Sequence, residues 1–370
     1  VRVGVEGRTL QGPRYGVARF LKNVLSHMAL AGASDLFLVY LSREVEDPGV
    51  SAPNVVFKVL GGAPSITWRH LRMPLEMRRD RVDVHLSPTY FVPLWRVCPE
   101  VVVVHDISFK AHPEWFARDR RFLFDDLFWR AVKRAERVIT PSEFSKAEIV
   151  RYLGIEPERI RVVPNAPEEV FRPVRDPTAL EGVRKRYGLQ ELFLLTVGAI
   201  HTRRNLERLV RAVHRASSRL GEPLQLLVVG IPAPFSPPVD FLGEAERLGM
   251  AGYVLHRPYV PEEDLVLLYN ACSLFVYPSL YEGFGLPVVE AMACGTPVAC
   301  ARSSALPEVG GDAVLYFDPL DVEDMGEAIL LGLGEVGKEL GERGLERARS
   351  FSWNKTAEGV RAALQEAAGT

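Results

Sequence analysis

The chain has 370 residues, of which 47% are hydrophobic and 25% charged, with a formal net charge of −2. That length favours two domains over one, and the near-neutral charge gives no reason to expect a nucleic-acid partner. No apolar run approaches the roughly 18 residues of a membrane span. Cys98, Cys272, Cys294 and Cys300 have neither metal-ligand nor disulfide-framework spacing, which suits buried thiols in a reducing cytoplasm.

The opening VRVGVEG reads as a strand, so no signal peptide is expected. Short aliphatic runs predict strands at 1–5, 36–41, 55–59, 83–86, 101–104, 137–140 and 160–163. Helical patterns at 16–31, 68–80, 114–135 and 142–153 lie between many of them. This order implies parallel sheets with helices on both faces. The proline-rich VVPNAPEEVFRPVRDP interrupts the pattern and reads as a linker. Alternation then restarts with LFLLTVG, LQLLVVG, GYVLH, SLFVYP and PVAC, and SFSWNKTAEGVRAALQEAA reads as a helix with a serine cap. The expected fold is α/β, with two facing Rossmann-like doubly wound domains, 1–172 and 173–352, and an inter-domain cleft. The helix at 353–370 is expected to pack back on the first domain. Ligands belong at the C-terminal edges of such strands.

Four loops at those edges carry candidate chemistry. In SLYEGFGLPVVEAMACGTPV, residues 279–298, a strand turns into a helix through Gly283 and Gly285, with Pro287 suited to the first helical turn. Free amides and the helix dipole at such a turn favour an anion. Glu282 and Glu290 flank the spot and would repel a phosphate, so they fit hydroxyl groups better, and a phosphate bordered by hydroxyls describes a sugar nucleotide. The bland alternative is two solvated glutamates. In VGAIHTRRNLERLVRA, Arg203 and Arg204 have the wrong sign for a helix start, yet their forked donors suit phosphate oxygens; a solvated basic patch is the alternative. VVVVHDISF ends a buried strand in His105 and Asp106, where a lone histidine is more often structural. LQGPRYGVARFL places Gly12 and Gly16 before a helix, without the spacing of a dinucleotide fingerprint.

Several motifs in order, GPRYGVARF, VVHDISF, ITPSEFSKAEIVRYLGI, VVPNAP, VGAIHTRRNLERL, PYVPEEDLVLLYNAC and YPSLYEGFGLPVVEAMACGTPV, cover nearly the whole chain. Together they resemble the retaining glycosyltransferases of family 4, which have the GT-B fold. HLSPTYFVPLW before CPEVVVVHDISFKAHPEWF resembles the bacterial mannosyltransferase-B-like branch. The resemblance implies that Glu282 contacts the donor sugar, with the backbone of Gly283, Phe284, Gly285 and Leu286 near sugar and phosphate. It implies further that Glu290 binds the ribose, that Arg203 and Arg204 hold the diphosphate, and that Gly16 reaches it from the first domain. His105 would lie beside the transferred sugar, and Tyr259 and Val260 would line the base pocket. The chain departs from the family in having Arg204 where lysine is usual, Pro258 where glycine is common, and Pro-Asn-Ala for Pro-Asn-Gly. Arg204→Lys is accordingly expected to be the mildest change at that position.

The implied reaction moves a hexose, with mannose favoured, from a nucleotide diphosphate sugar to an acceptor hydroxyl with retention of configuration. GDP-mannose is the favoured donor and a UDP-sugar the alternative, and the acceptor would be a saccharide or lipid-linked sugar of the cell envelope. No cofactor is expected, and no metal, because the chain contains no Asp-x-Asp and no His or Cys cluster with ligand spacing. The rivals are a nucleotide-sugar epimerase on the same fold and a non-catalytic sugar-nucleotide-binding subunit. TWRHLRMPLEMRRDR sets arginines beside Trp68, Leu71 and Met73. It reads either as a cationic face for the anionic inner surface of a membrane or as a solvated helix over the core. A cytoplasmic protein, peripheral on the membrane in the first case, is expected.

Overall fold

A computed structural model of the chain describes residues 1–12, 16–31, 34–61, 64–116, 127–233 and 236–369. Its strands form one seven-stranded and one six-stranded sheet, every pairing parallel. The first holds β1 (Arg2–Glu6), β2 (Leu36–Leu41), β3 (Val55–Val59), β4 (Val84–Ser87), β5 (Glu100–Val103), β6 (Arg137–Thr140) and β7 (Ile160–Val162), in the order β3-β2-β1-β4-β5-β6-β7. The second holds β8 (Phe193–Val197), β9 (Gln225–Val229), β10 (Val254–Arg257), β11 (Leu274–Tyr277), β12 (Val298–Ala301) and β13 (Leu315–Phe317), in the order β10-β9-β8-β11-β12-β13. Strands covered on both faces need apolar side chains on both, which is why they read as unbroken aliphatic runs. Strand β13 escapes that pattern because it is three residues long and half-buried at two of them.

The chain divides into two units. One comprises Val1–Ala111, Arg121–Asn165 and Ser352–Thr370; the other comprises His112–Arg120 and Ala166–Phe351. The second unit thus resumes at Ala166, ahead of the expected 172/173 boundary, and takes a short piece from within the first half. In unit 1, the helix Trp353–Ala368 packs on the helix Gly16–Ala31 and on strands β4 to β7. Trp353 meets Phe20 edge-on, and Arg361 donates to Asp35 at 3.0 Å.

Two predicted helices differ. Residues 68–80 lie in three pieces: a turn Ser65–Thr67, a π-helical turn Trp68–Arg72 and a helix Met73–Arg79. Pro74 cannot donate to the preceding turn, and the ladder widens there, with the Met73 amide donating to the Trp68 carbonyl. Trp68 and Met73 sit in the core against Leu38 and Tyr40 rather than on a surface. Of the helix expected at 114–135, the structure has a 3-10 turn at Pro113–Trp115 and a helix at Leu127–Arg134; residues 117–126 of that expectation lie outside the described residues. The four cysteines are free and buried.

Inside unit 1, His85 and Glu100 are register partners on β4 and β5, with Nδ1 and Oε1 4.0 Å apart. Both imidazole nitrogens and Glu100 Oε2 are buried without a hydrogen-bond partner. Burial holds the imidazole at about 3, so it is neutral, and pushes the Glu100 carboxyl up to about 7, with Arg96 and Arg134 pulling the other way. A carboxyl whose folded pKa is raised favours the fold fully below about pH 4.5 and loses that contribution as pH rises through about 7. Glu100→Gln should therefore leave stability at pH 4.5 nearly unchanged and raise it at pH 8 by up to about 3 kcal/mol. Urea midpoints at the two pH values measure this, and an unchanged pH profile in the variant would refute it.

Candidate active site

In unit 2 the strand order reverses between β8 and β11: the chain runs outward from β8 through β9 to β10, then returns to β11 on the other side. At such a reversal the connecting helices leave on opposite faces, and the loops at the strands' C-terminal ends part into a crevice. Strand β8 ends at Val197 and β11 at Tyr277. The two loops at the reversal are therefore those carrying Arg203 and Arg204 on one side and Glu282 on the other.

The first loop enters a 3-10 turn, Thr202–Arg204, capped by His201, whose Nδ1 accepts from the Arg203 amide at 3.2 Å. Asn205 follows at φ 60 and donates from its side chain to the carbonyls of Pro278 at 3.3 Å and Pro319 at 2.7 Å. Asparagine tolerates this left-handed backbone better than most residues, and the turn ends there before the helix Leu206–Leu220. The Leu280 amide donates to the Arg203 carbonyl at 2.8 Å, stitching the loops together.

The two arginines, expected to act alike, are separated. Arg203 is half-buried. Arg204 is 9% exposed and turns inward, where its Nη1 lies 2.6 Å from Glu282 Oε1 and 2.9 Å from Ser279 Oγ and also meets the Tyr277 hydroxyl. Its Nε donates to the Ala199 carbonyl at 3.3 Å, and the guanidinium lies over the Tyr277 ring. Burial alone would lower its pKa, but the charge of Glu282 and the Tyr277 oxygen outweigh that and hold it above the ordinary arginine value. Room for the guanidinium comes from Gly198, at φ 140, where a Cβ would stand 2.7 Å from Arg204 Nη2.

Glu282 is 7% exposed, and its amide donates to Ser304 Oγ at 2.8 Å. Gly285 adopts φ 102 and begins the helix Leu286–Ala293; a Cβ there would stand 2.6 Å from Leu306 Cδ2. Gly283 is buried and Leu286 half-buried, whereas Phe284 packs its ring edge-on against Phe351 in the core. Glu290 lies inside the same helix and is buried, accepting from the Tyr269 hydroxyl at 3.0 Å, so it is neither solvated nor in the first turn. Tyr259 is 68% exposed, while the Val260 side chain belongs to the core and can offer a ligand only its backbone. Sequence reasoning passed over Tyr277, Ser279, His201 and Gly198 as contributors. Each lies in a motif already singled out, VGAIHTRRNLERL or YPSLYEGFGLPVVEAMACGTPV, yet nothing in their spacing shows that Arg204 turns inward.

In unit 1, His105 follows β5, with Nε2 3.0 Å from the Pro88 carbonyl after β4 and its ring edge-on to Phe20. Burial lowers its pKa, against the Pro88 hydrogen bond and the charge of Asp106, which favours the neutral ring. Asp106 accepts from the Ser108 amide and hydroxyl at 2.9 and 2.6 Å. Gly16 opens the helix Gly16–Ala31 with open space where a Cβ would stand, so packing does not require glycine there. Residues 13–15 of that motif lie outside the described residues.

Two parallel doubly wound units, the second with a buried arginine–glutamate pair at its topological switch point, have the architecture of the GT-B glycosyltransferases. Residues 183–343 match the family model for glycosyl transferases group 1, and residues 15–167 match that for glycosyltransferase family 4; the chain belongs to this family. It is 34% identical to O-antigen chain mannosyltransferase B of Escherichia coli over 289 residues, 77% of this chain and 74% of that protein. It is 31% identical to the serotype-specific mannosyltransferase WbdA of the same organism over 73% of this chain, which spans only 33% of that longer protein. Among solved structures, Anabaena HepE in complex with UDP-glucose superposes with a TM-score of 0.76 at 17% identity, covering 99% of each chain, a likeness of fold.

Arg204 Nη1 alone meets Tyr277, Ser279 and Glu282, while Nε serves Ala199. A lysine ammonium has three donors and forfeits the Ala199 bond, so Arg204→Lys should cost less than Arg204→Ala. Arg204→Ala should cost about 3–5 kcal/mol of stability by stranding a buried carboxylate. The double variant Arg204→Ala/Glu282→Ala should lose less than the sum of the single losses, with a coupling of about 1–3 kcal/mol. Urea unfolding of the four proteins closes the cycle, and additive losses would mean that the pair is not coupled.

Proposed function

We propose that the chain is a retaining, metal-independent mannosyltransferase that moves mannose from GDP-mannose to a hydroxyl of a saccharide or lipid-linked acceptor in cell-envelope polysaccharide synthesis. The observation that carries this reading is the Arg204–Glu282 pair in a switch-point crevice, and the likeness to O-antigen chain mannosyltransferase B supports the choice of mannose. Arg204 engages Glu282 Oε1, which leaves Oε2 to accept from a sugar hydroxyl. Arg203, together with amides at the start of the helix Leu286–Ala293, meets the diphosphate, whose charge grows as the glycosidic bond breaks. Glu290 serves the ribose and the backbone around Tyr259 and Val260 the base. His105 is assigned to the side of the transferred sugar by the family resemblance, with Nδ1 its available ring atom because Nε2 is taken by Pro88. Retention by double displacement would need a carboxylate nucleophile beneath the anomeric carbon. We favour attack on the face the diphosphate leaves, with the departing phosphate oxygen accepting the acceptor's proton. The metal-independent reading rests on the sequence, which contains no Asp-x-Asp.

Transfer of labelled mannose should survive exhaustive chelation, and steady release of GDP should accompany it. Arg203→Ala should lower the rate about 30- to 1000-fold. Glu282→Gln should depress turnover while GDP still binds, whereas Glu290→Gln should weaken GDP binding by about 1–3 kcal/mol in calorimetry. Activity lost to chelator and restored by magnesium or manganese would overturn the metal-free reading. Donor interconversion without nucleotide release would replace transferase by epimerase.

We also propose that unit 1 rests on anionic lipid. No helix among the described residues is long and apolar enough to cross a membrane, so contact would be at the surface. Trp68 and Met73 are core residues, and the exposed apolar side chains are instead Ile66, Leu71, Leu75, Leu94 and Trp95. The Leu94 amide donates to His70 Nδ1 at 3.2 Å, which brings the two segments together. Exposed Arg72 and Arg78 flank the apolar set, an arrangement that suits an interface of acyl chains and anionic headgroups. The protein should sediment with anionic vesicles and leave them at raised salt. Arg72→Gln/Arg78→Gln should abolish pelleting without altering Tm, and failure of the unaltered protein to bind at low salt would end the idea.

A further inference from the structure

Residues His112–Phe116 belong to unit 2, although the chain on both sides of the stretch His112–Arg120 belongs to unit 1. They begin in a 3-10 turn, Pro113–Trp115, which Pro113 favours by fixing its backbone angle. The His112 ring stacks on Trp115 with centroids 3.9 Å apart and planes 13° from parallel, and His112 Nδ1 lies 3.0 Å from Glu114 Oε1. Both rings meet Tyr281 edge-on, at 5.5 Å from His112 and 6.3 Å from Trp115. Next along the chain, Phe116 meets His201 edge-on at 5.1 Å. Tyr281, His201 and Phe116 are all buried.

These contacts fall on the two loops of the crevice. Tyr281 is the residue before Glu282, and His201 caps the turn that carries Arg203 and Arg204. The loops already share the Leu280–Arg203 backbone bond and the Arg204–Glu282 pair. The aromatic segment meets one residue of each loop, Tyr281 and His201. On its other side the Glu282 backbone is held by Ser304. Glu282 is therefore fixed between a hydroxyl and a tyrosine, and the tyrosine is fixed by the segment.

We propose that His112–Phe116 is a positioning strap for the sugar-nucleotide site, setting Glu282 through Tyr281 and the Arg203–Arg204 turn through His201. The proposal rests on reading the β8–β11 crevice as that site. Aromatic pairs in edge and stacked geometry prefer defined distances, so the strap transmits a position rather than a charge. Misplacing a contacting group by a fraction of an ångström slows chemistry more than it weakens binding. Trp115 is half-buried in a loop, so its truncation should loosen the site without unfolding the unit.

The test uses the full chain with Trp115→Ala and Trp115→Phe. Hydrogen exchange should show segments 200–205 and 279–286 losing protection by about tenfold or more in Trp115→Ala, with the rest of unit 2 unchanged and Trp115→Phe close to the unaltered protein. With GDP-mannose as donor, kcat should fall about 10- to 100-fold in Trp115→Ala while the KM for donor and the Kd for GDP move little, and Trp115→Phe should recover most of the rate. Unchanged exchange at the two loops overturns the strap whatever the rate does. Loosening spread through all of unit 2 with a fall in Tm also overturns it, because Trp115 would then be an ordinary packing residue. Selective loosening in a protein that transfers sugar from no nucleotide donor upholds the strap and removes the transferase reading instead.

Discussion

A guanidinium and a carboxylate taken out of water together, Arg204 and Glu282, constrain everything around the crevice of unit 2. Desolvating two charges costs more than their attraction returns unless hydrogen bonds satisfy the remaining valences. Ser279, Tyr277 and the Ala199 carbonyl supply those bonds on the arginine side. That requirement explains why residues from the ends of two adjacent strands converge, and why Gly198 lacks a side chain where the guanidinium passes. It also explains the left-handed Asn205, which turns the chain sharply enough for Arg204 to point inward while the next helix starts outward.

The same constraint divides labour between neighbours. An arginine spent on holding a carboxylate has less to give any other anion, so Arg204 and Arg203 are not equivalent although the two stand side by side in sequence. Glu282 gains in exchange a fixed orientation, since a carboxylate held at one oxygen and anchored through its amide by Ser304 has little freedom to rotate. Glu290 is treated alike, through the Tyr269 hydroxyl. Preorganised groups of this kind avoid reorganisation when charge develops in a reaction.

Much of the architecture was legible in the chain because buried parallel strands must be aliphatic throughout, and runs such as VVVV before His105 or LFLLTV before Gly198 have no other economical meaning. Loop membership followed from the same runs, so Arg203, Arg204, Glu282 and Gly285 were assigned to strand ends by position alone. Which side chains touch was not legible. Arg204 is indistinguishable from Arg203 in sequence, and its inward turn depends on a cavity at Gly198 and acceptors more than seventy residues away. Whether Trp68 faced a membrane or the core was left open by the arginines around it, and the π-helical turn places it in the core. The aromatic segment at 112–116 was hidden for a related reason: its partners, Tyr281 and His201, lie far along the chain, and local pattern carries no information about such pairings.

The closure of unit 1 by the helix Trp353–Ala368 has a consequence for how the protein is made. Trp353, Val360 and Leu364 are buried in a unit whose strands all precede Asn165, so that face lacks its cover until all of Ala166–Phe351 has been synthesised. Gly359 lets that helix approach closely, since a Cβ there would stand 2.9 Å from Val163. Unit 2 is contiguous apart from its aromatic segment and can fold first, while the first half waits with apolar surface bare, a state prone to aggregation and a natural client for chaperones. The entropic penalty of so long a closure grows only with the logarithm of its length. What the arrangement sacrifices is therefore time in a vulnerable state rather than final stability.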